Sequence, residues 1–232
     1  FRRKNAEGSI VGNIAKEIAD AFREMPTTMK QLAIVQFFTW FALPFMWQFY
    51  GLTVARHVFG AADDHSELFK QGTEWGGVCF AVYNLVCFLV AFGIPPLAEK
   101  IGRKCVHIIC LSCGGLGLIS TYFASGPYFL WIGMLGIGIA WASILSMPYV
   151  ILAGAIKPER MGVYMGVFNL FIVIPQVVQS FLTPQIYKGL LGNNPLNAVM
   201  LGGVSMIIAA VSVLIVKDVG AAAAMHHGGG GH

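Results

Sequence analysis

The sequence predicts an all-α membrane protein with six transmembrane helices. Hydrophobic residues make up 56% of the 232 positions and charged residues only 11%, against roughly 25% charged residues in soluble domains. Apolar stretches run near 31–52, 75–98, 105–124, 127–150, 162–184 and 195–216. Each is close to the roughly 20 residues that a helix needs to cross a bilayer. Helices are expected because lipid offers the backbone no hydrogen-bond partner.

The two ends of the chain differ from these spans. In residues 10–25, Ile14, Ile18 and Phe22 recur at four-residue steps among charged residues, which predicts an amphipathic helix. We therefore expect residues 1–30 to be a cytoplasmic segment and 31–218 to be the transmembrane bundle. Residues 219–232 are low in complexity and are expected to be a disordered tail or an expression remnant. Because the chain starts at Phe1 without a signal peptide pattern, we expect it to be part of a longer protein.

Lysine and arginine predict the orientation of the spans, because cytoplasmic loops carry an excess of both. With the N-terminus inside, the inner segments hold Arg2, Arg3, Lys4, Lys16, Arg23, Lys30, Lys100, Arg103, Lys104, Lys157, Arg160 and Lys217. The outer segments hold only Arg56, Lys70 and Lys188. The sequence thus predicts a multi-pass protein of the cell membrane, inner or plasma, with both ends cytoplasmic. The net charge of +4 is too small and too localised to suggest nucleic acid as a partner.

Small residues predict how the spans pack. Gly114, Gly115 and Gly117 in the third span are expected to permit close approach of a neighbouring helix. The pair Gly162-x-x-x-Gly166 is expected to be a packing device at the inner end of the fifth span. The sixth span has few polar features, so we expect it to face lipid.

The turn after the second span reads Pro96-Leu-Ala-Glu-Lys-Ile-Gly-Arg-Lys104. It resembles the loop signature of the major facilitator superfamily, G-x-x-x-D-R-x-G-R-R. Gly102, Arg103 and Lys104 fit this signature, whereas Glu99 replaces aspartate, Lys100 replaces arginine and Pro95 stands at the first glycine. The resemblance implies a cytoplasmic gating loop formed by Glu99, Gly102, Arg103 and Lys104, with Arg160 in the next inner turn.

A second resemblance covers residues of about 10 to 218. The stretches Lys157-Pro-Glu-Arg-Met-Gly-Val-Tyr-Met-Gly-Val-Phe-Asn169, Phe37-Phe-Thr-Trp-Phe-Ala-Leu-Pro-Phe-Met-Trp47 and Phe80-Ala-Val-Tyr-Asn84 look like parts of sucrose transporters. These lie within or beside the glycoside–pentoside–hexuronide cation symporters. The resemblance implies the C-terminal half, helices seven to twelve, of a twelve-helix carrier that moves a disaccharide or related glycoside by alternating access. The N-terminal six-helix half would be its partner.

Sugar carriers bind substrate near the membrane midplane, between two bundles. A sugar needs amides for its hydroxyl groups and aromatic faces for its C–H surfaces. The candidate substrate-binding residues are Gln36, Trp40, Trp47, Tyr83, Asn84, Trp141, Asn169 and Gln176. The competing interpretation is that the amides bond neighbouring helices and the tryptophans pack or anchor. Gln179 lies off the stripe of the fifth span and is expected to pack.

No aspartate or glutamate lies deep in a predicted span, and His107 lies near a cytoplasmic end. Proton coupling normally needs such a group. The resemblance implies proton symport with the coupling acid in the N-terminal half. An uncoupled facilitator, another coupling ion, and a structural or sensory six-span subunit without transport remain alternatives. No motif of an enzyme, cofactor or metal site is present, and Cys110-x-x-Cys113 is interpreted as packing.

Overall fold

In the computed structural model of this chain, residues 16, 20 and 22–219 are described, and regular structure among them is helical. Six helices are long and apolar enough to cross a membrane. They are numbered here as the first to the sixth span: Thr27–Val58, Glu67–Ala91, Arg103–Phe123, Pro127–Ala153, Pro158–Gly189 and Pro195–Ile215. The predicted all-α, six-span fold is therefore confirmed. The amphipathic helix expected at 10–25 and the tail expected at 219–232 fall mostly outside the described residues.

The α-helical parts of the structure are Thr27–Thr53, Glu67–Ala91, Ile94–Ile101, Arg103–Ser120, Leu130–Ile144, Met147–Ala153, Met161–Gly189 and Pro195–Ser212. The first span ends in a π-helical turn at Val54–Val58, and 3-10 turns lie at Thr121–Phe123, Pro127–Phe129, Pro158–Arg160 and Val213–Ile215. The fourth span has an irregular joint at Ser146, two residues before Pro148. Proline has no backbone N–H to donate and disfavours the uninterrupted helix. At this joint the N–H of Ser146 donates to the carbonyl of Ser143 at 3.2 Å, and Ser146 Oγ donates to the carbonyl of Ala142 at 2.8 Å.

The second span differs from its predicted range of 75–98. It begins at Glu67, where the hydroxyl oxygen of Ser66 accepts a hydrogen bond from the N–H of Phe69 and caps the helix. It ends at Ala91, and residues Ile94–Ile101 form a separate short helix. The polar first turns hid the start of the span from a hydropathy pattern. Pro95 at the start of the short helix marks the break.

Hydrogen bonds bring four span ends together at one end of the bundle, here called the basic end. Thr28 Oγ1 donates to the carbonyl of Lys217 at 2.8 Å, and the N–H of Lys217 donates to Gln31 Oε1 at 2.9 Å. Lys104 Nζ donates to the carbonyl of Leu214 at 3.1 Å. Arg160 pairs with Glu24, just before the first span. Lys and Arg thus cluster where the orientation analysis expects the inner face.

The third, fourth and sixth spans pack backbone to backbone through glycine. A Cβ placed on Gly133 would lie 2.6 Å from the carbonyl oxygen of Gly117, and one on Gly115 would lie 2.7 Å from Ile207 Cδ1. Real side chains do not approach so closely, so only glycine fits there. The close helix approach expected of the third-span glycines is confirmed. The first span packs most extensively on the sixth, and the second packs on the fourth.

Two packing expectations are wrong. Gly162 and Gly166 both face open space, since a Cβ on either meets no atom within 4 Å among the described residues. The fifth span reaches the rest of the bundle mainly through the first span, and that contact does not use these glycines. The sixth span does not simply face lipid. Met206 and Ala209 are fully buried in it, while Val211 and Leu214 on another side are exposed.

Candidate substrate site

Three tryptophans from two spans form one cluster, here called the tryptophan cluster. The ring of Trp141 in the fourth span lies between Trp40 and Trp47 of the first. Its ring centroid is 6.0 Å from that of Trp40 and 5.9 Å from that of Trp47, and both pairs are edge to face. Edge-to-face pairs are favoured because a ring edge is electropositive and a ring face is electronegative. The arrangement leaves Trp47 and Trp141 half-buried and Trp40 buried.

Gln36 lies one helical turn from Trp40, on the same side of the first span. Its side chain is fully buried, and neither Nε2 nor Oε1 has a hydrogen-bond partner among the described residues. Trp40 Nε1 is likewise buried and without a partner there. A buried polar atom without a hydrogen bond costs about 1–3 kcal/mol. The two amide atoms of Gln36 and Nε1 of Trp40 are three such atoms at the tryptophan cluster, so these polar groups lower the stability of the fold unless a ligand binds them.

The second span contributes an aromatic contact and an exposed amide. Tyr83 is buried and packs edge to face on Phe80, with ring centroids 5.6 Å apart, and Phe80 packs on Tyr50 of the first span. Asn84 is exposed, and its Nδ2 donates to the carbonyl of Phe80 at 2.8 Å. That bond holds the Asn84 amide group against its own helix through Nδ2 and does not use Oδ1.

The fifth span carries two predicted amides, about 10 Å apart along the helix because seven residues separate them. Asn169 is exposed, and its Oδ1 accepts a long hydrogen bond of 3.5 Å from the hydroxyl of Tyr149 in the fourth span. Gln176 is half-buried, and its Nε2 donates to the carbonyl of Ile172 at 3.0 Å. It lines a shallow groove of about 530 Å³ with Val173, Val177, Ser180 and Phe181. The hydrogen bonds of these two amides go to Tyr149 and Ile172 and not to the tryptophan cluster.

A polar contact between the first and fifth spans was not anticipated. Gln179 is fully buried, its Nε2 donates to Thr183 Oγ1 at 2.6 Å, and its Oε1 accepts from Gln48 Nε2 at 3.5 Å. Gln179 is thus a packing residue, in keeping with its place off the stripe. Gln48 is exposed and adds a further amide next to the candidate site. In the sequence, the amide of Gln48 directly after Trp47 is the feature that indicates this polar contact.

The predicted gating loop lies at the basic end. Gly102 joins two helices with φ of 87°, a left-handed conformation that favours glycine. Arg103 Nη1 lies 3.8 Å from Asp218 Oδ1 and 3.4 Å from the carbonyl oxygen of Val150. Asp218, whose side chain is 6% exposed, was not singled out in the sequence because it lies beyond the last apolar residue. Glu99 is exposed, and the structure shows no ion pair for it within residues 22–219.

The remaining chemistry of the described chain is sparse. The cysteines Cys79, Cys87, Cys105, Cys110 and Cys113 are all free thiols. No group of three or more His, Cys, Asp or Glu side chains within the described residues is placed to hold a metal ion.

Comparison with known proteins shows that the chain is similar to several transport proteins. The chain is 26% identical over 189 residues to the sucrose transport protein SUT1 of Oryza sativa, covering 69% of this chain and 35% of the relative. It is 24% identical over 229 residues to the sucrose transport protein SUC3 of Arabidopsis thaliana, covering 88% and 38%. It is 25% identical over 123 residues to an uncharacterized MFS-type transporter of Escherichia coli, covering 52% and 30%. No family model matches the chain.

The chain thus spans about a third of the length of the curated relatives that it matches. Its six spans are consistent with one six-helix half of a major facilitator transporter. The resemblance to sucrose transporters recognised in the motifs is confirmed at low identity: this chain is a multi-pass membrane protein that is similar to sucrose transport proteins of the major facilitator type.

Proposed function

We propose that this chain is the C-terminal six-helix bundle of a sugar carrier, and that it binds a disaccharide or related glycoside against a preceding six-helix half. The observation that carries this proposal is the set of buried, unpartnered atoms of Gln36 and Trp40 beside the tryptophan cluster. Sugar hydroxyl groups would satisfy these atoms, and the rings would cover the C–H faces. Transport would proceed by alternating access, as one bundle rocks against the other.

The exposed amides support transport over a structural or sensory role. A bundle that only holds other helices would bury its amides in interhelical bonds. Asn84 is instead exposed and Gln176 half-buried, and both are bonded only within their own helices. Asn169 is also exposed, although its Oδ1 accepts a long bond of 3.5 Å from Tyr149. They lie on the second and fifth spans, which are the least buried spans of the bundle. These spans are the ones free to face a second bundle across a cavity.

We further propose that the carrier is a proton symporter, with both ends of this chain cytoplasmic and the main coupling acid in the preceding half. The acids of the second span, Glu67 and Glu74, lie in its first two turns, away from the candidate site. An uncoupled facilitator is the alternative. The protein is proposed to be a carrier of the cell membrane and not an enzyme, in keeping with relatives that are transporters.

The test is uptake of radiolabelled sucrose by the complete carrier in liposomes. We expect Gln36→Leu and Trp40→Ala to weaken sugar affinity about tenfold, because losing one good hydrogen bond or ring contact costs about 1–2 kcal/mol. Gln176→Leu should also lower uptake more than it lowers the amount of protein. Trp131→Ala is the matched control, since Trp131 lies 39% exposed in a separate aromatic cluster with Trp75 and Tyr128.

The same assay tests coupling. Alkalinisation of the medium during uptake is expected for proton symport. Active uptake without alkalinisation would instead indicate facilitation or another ion. If Gln36→Leu and Trp40→Ala leave affinity as unchanged as Trp131→Ala does, the tryptophan cluster does not bind the sugar.

A further inference from the structure

His107 is a fully buried titratable side chain within the third span, one helical turn from Arg103. Its Nδ1 lies 2.8 Å from the hydroxyl oxygen of Ser143 in the fourth span. Its Nε2 is buried and has no hydrogen-bond partner among the described residues. An ionisable residue inside a membrane span is costly to keep, and such residues commonly lie on ion or proton routes.

A cavity reaches toward this pair from the basic end. It has a volume of about 890 Å³ and lies between the second span, the short helix Ile94–Ile101 and the third and fourth spans. Arg103, Ala142, Ser146 and Met147 are among the residues that line it. Arg103 stands one turn before His107, and Ala142 immediately precedes Ser143. His107 itself does not line the cavity, because Val106, Ala142 and Met147 pack into a buried apolar cluster beside it.

We propose that His107 and Ser143 form a proton-binding site that is reached from the cytoplasm through this cavity when the apolar cluster opens. We assign the neutral tautomer in which Nδ1–H donates to Ser143 Oγ across the 2.8 Å contact, which leaves the lone pair of Nε2 free. A hydronium ion then transfers its proton to Nε2 and leaves as water, and the imidazolium keeps its bond to Ser143. This inference rests on the proposed transport function. It gives this half of the carrier a proton-binding group of its own, in addition to the coupling acid proposed for the other half.

Few other titratable groups near His107 could produce a change of transport rate with cytoplasmic pH. The fourth span contributes the Ser143 hydroxyl. Its two tyrosines are engaged elsewhere: Tyr149 donates to Asn169, and Tyr128 packs on Trp75 and Trp131. Residues 195–216 of the sixth span and its end carry no titratable side chain, and Asp218 beyond them pairs with Arg103. Glu99 and Lys100 of the short helix line the outer part of the cavity, as does Cys87 of the second span. On the third span itself the neighbours are Arg103, Lys104, Cys105, Cys110 and Cys113.

The test uses the complete carrier in inside-out vesicles, so that the bath sets the pH at the cytoplasmic face. Sucrose entry is measured from about pH 5.5 to about pH 7.5, a range centred on the pKa of free histidine, about 6.5. We expect the wild-type rate of sucrose entry to change at least about threefold across this range. In His107→Gln, the change in rate across the same range should be less than about a third of the wild-type change. Ser143→Ala is expected to move the midpoint of the profile, because Nδ1 loses its partner.

Ser205→Ala is the matched control. Ser205 is buried and donates to the carbonyl of Phe38 at 2.8 Å, so this variant loses an interspan hydrogen bond without losing a titratable group. It should leave the shape of the pH profile unchanged. Should His107→Gln fail to reach the membrane, Ser143→Ala decides alone.

A cytoplasmic pH profile that neither variant alters, or a loss by the same factor at every pH, overturns the proton site and leaves sugar transport standing. Absence of sucrose entry in the wild type at any pH overturns the proposed function itself. The two failures are therefore distinct.

Discussion

Single glycines set how closely the third and fourth spans approach each other. Gly117 and Gly133 meet across the third and fourth spans, whereas Gly162 and Gly166 face open space although they form the better-known spacing. A G-x-x-x-G pair indicates that a helix can be approached closely, but the partner must lie on that side. The fifth span presents this pair away from the first span, so the pattern has no packing role among the described residues.

This difference predicts opposite effects of one substitution at two places. Gly117→Ala should lower the free energy of unfolding by about 1–3 kcal/mol, because the added Cβ meets the backbone of Gly133 and the helices must separate. Gly166→Ala has room and should be neutral or slightly stabilising, since alanine favours helix more than glycine does. Unfolding in a detergent titration measures both. Equal losses at the two positions would contradict the packing described.

The polar candidates divide in the same way. Gln36, Trp40, Trp47 and Trp141 were predicted as site residues from their chemistry, and the structure brings them together. Asn84, Asn169 and Gln176 are bound to their own or adjacent helices and not to that cluster. Sequence spacing places residues on a face of one helix, but it does not give the rotation of one helix against the next. Whether these three amides reach a sugar stays a prediction.

At the scale of whole elements, hydropathy was sufficient for the number of spans and insufficient for their limits. The second span starts eight residues before its predicted range because its first turns are polar and are capped by Ser66. It also ends earlier, since Gly93 and Pro95 separate the short helix that follows. Hydropathy identifies the residues that suit the lipid core, whereas the ends of a helix depend on capping groups and proline.

The end of the sixth span gives a prediction at this scale. Asp218 and Arg103 connect the segment after the sixth span to the start of the third, with 6% and 32% of their side chains exposed. A double-mutant cycle of Asp218→Asn and Arg103→Gln should give a coupling energy of about 0.5–3 kcal/mol in unfolding measurements. The exposed pair Arg56–Asp64 is the control, and its coupling should stay below about 1 kcal/mol. A coupling near zero for Arg103 and Asp218 would mean that each residue acts through other partners.

For the molecule as a whole, the six spans do not contribute equally. The third, fourth and sixth spans meet through backbone contacts at glycine, and the sixth also packs extensively on the first. The second and fifth spans are far less buried than the other four. The bundle therefore consists of a tightly packed body and two loosely held flanking helices. Those two helices carry the exposed amides Asn84 and Asn169.

The hydrogen bonds of Lys217 with Thr28 and Gln31 have a topological consequence: the path of the backbone through the bundle nearly closes on itself. A circular permutant that joins residue 217 to residue 28 through a short glycine linker, and opens the chain between Gly154 and Lys157, keeps every span in its present direction. Residues 28 and 217 and the opened turn all lie at the basic end, and exposed turns tolerate such cuts. We expect this permutant to insert and pack like the parent, as measured by its unfolding midpoint in detergent. A permutant opened at residues 190–194 would instead place its ends at the opposite face and should insert poorly.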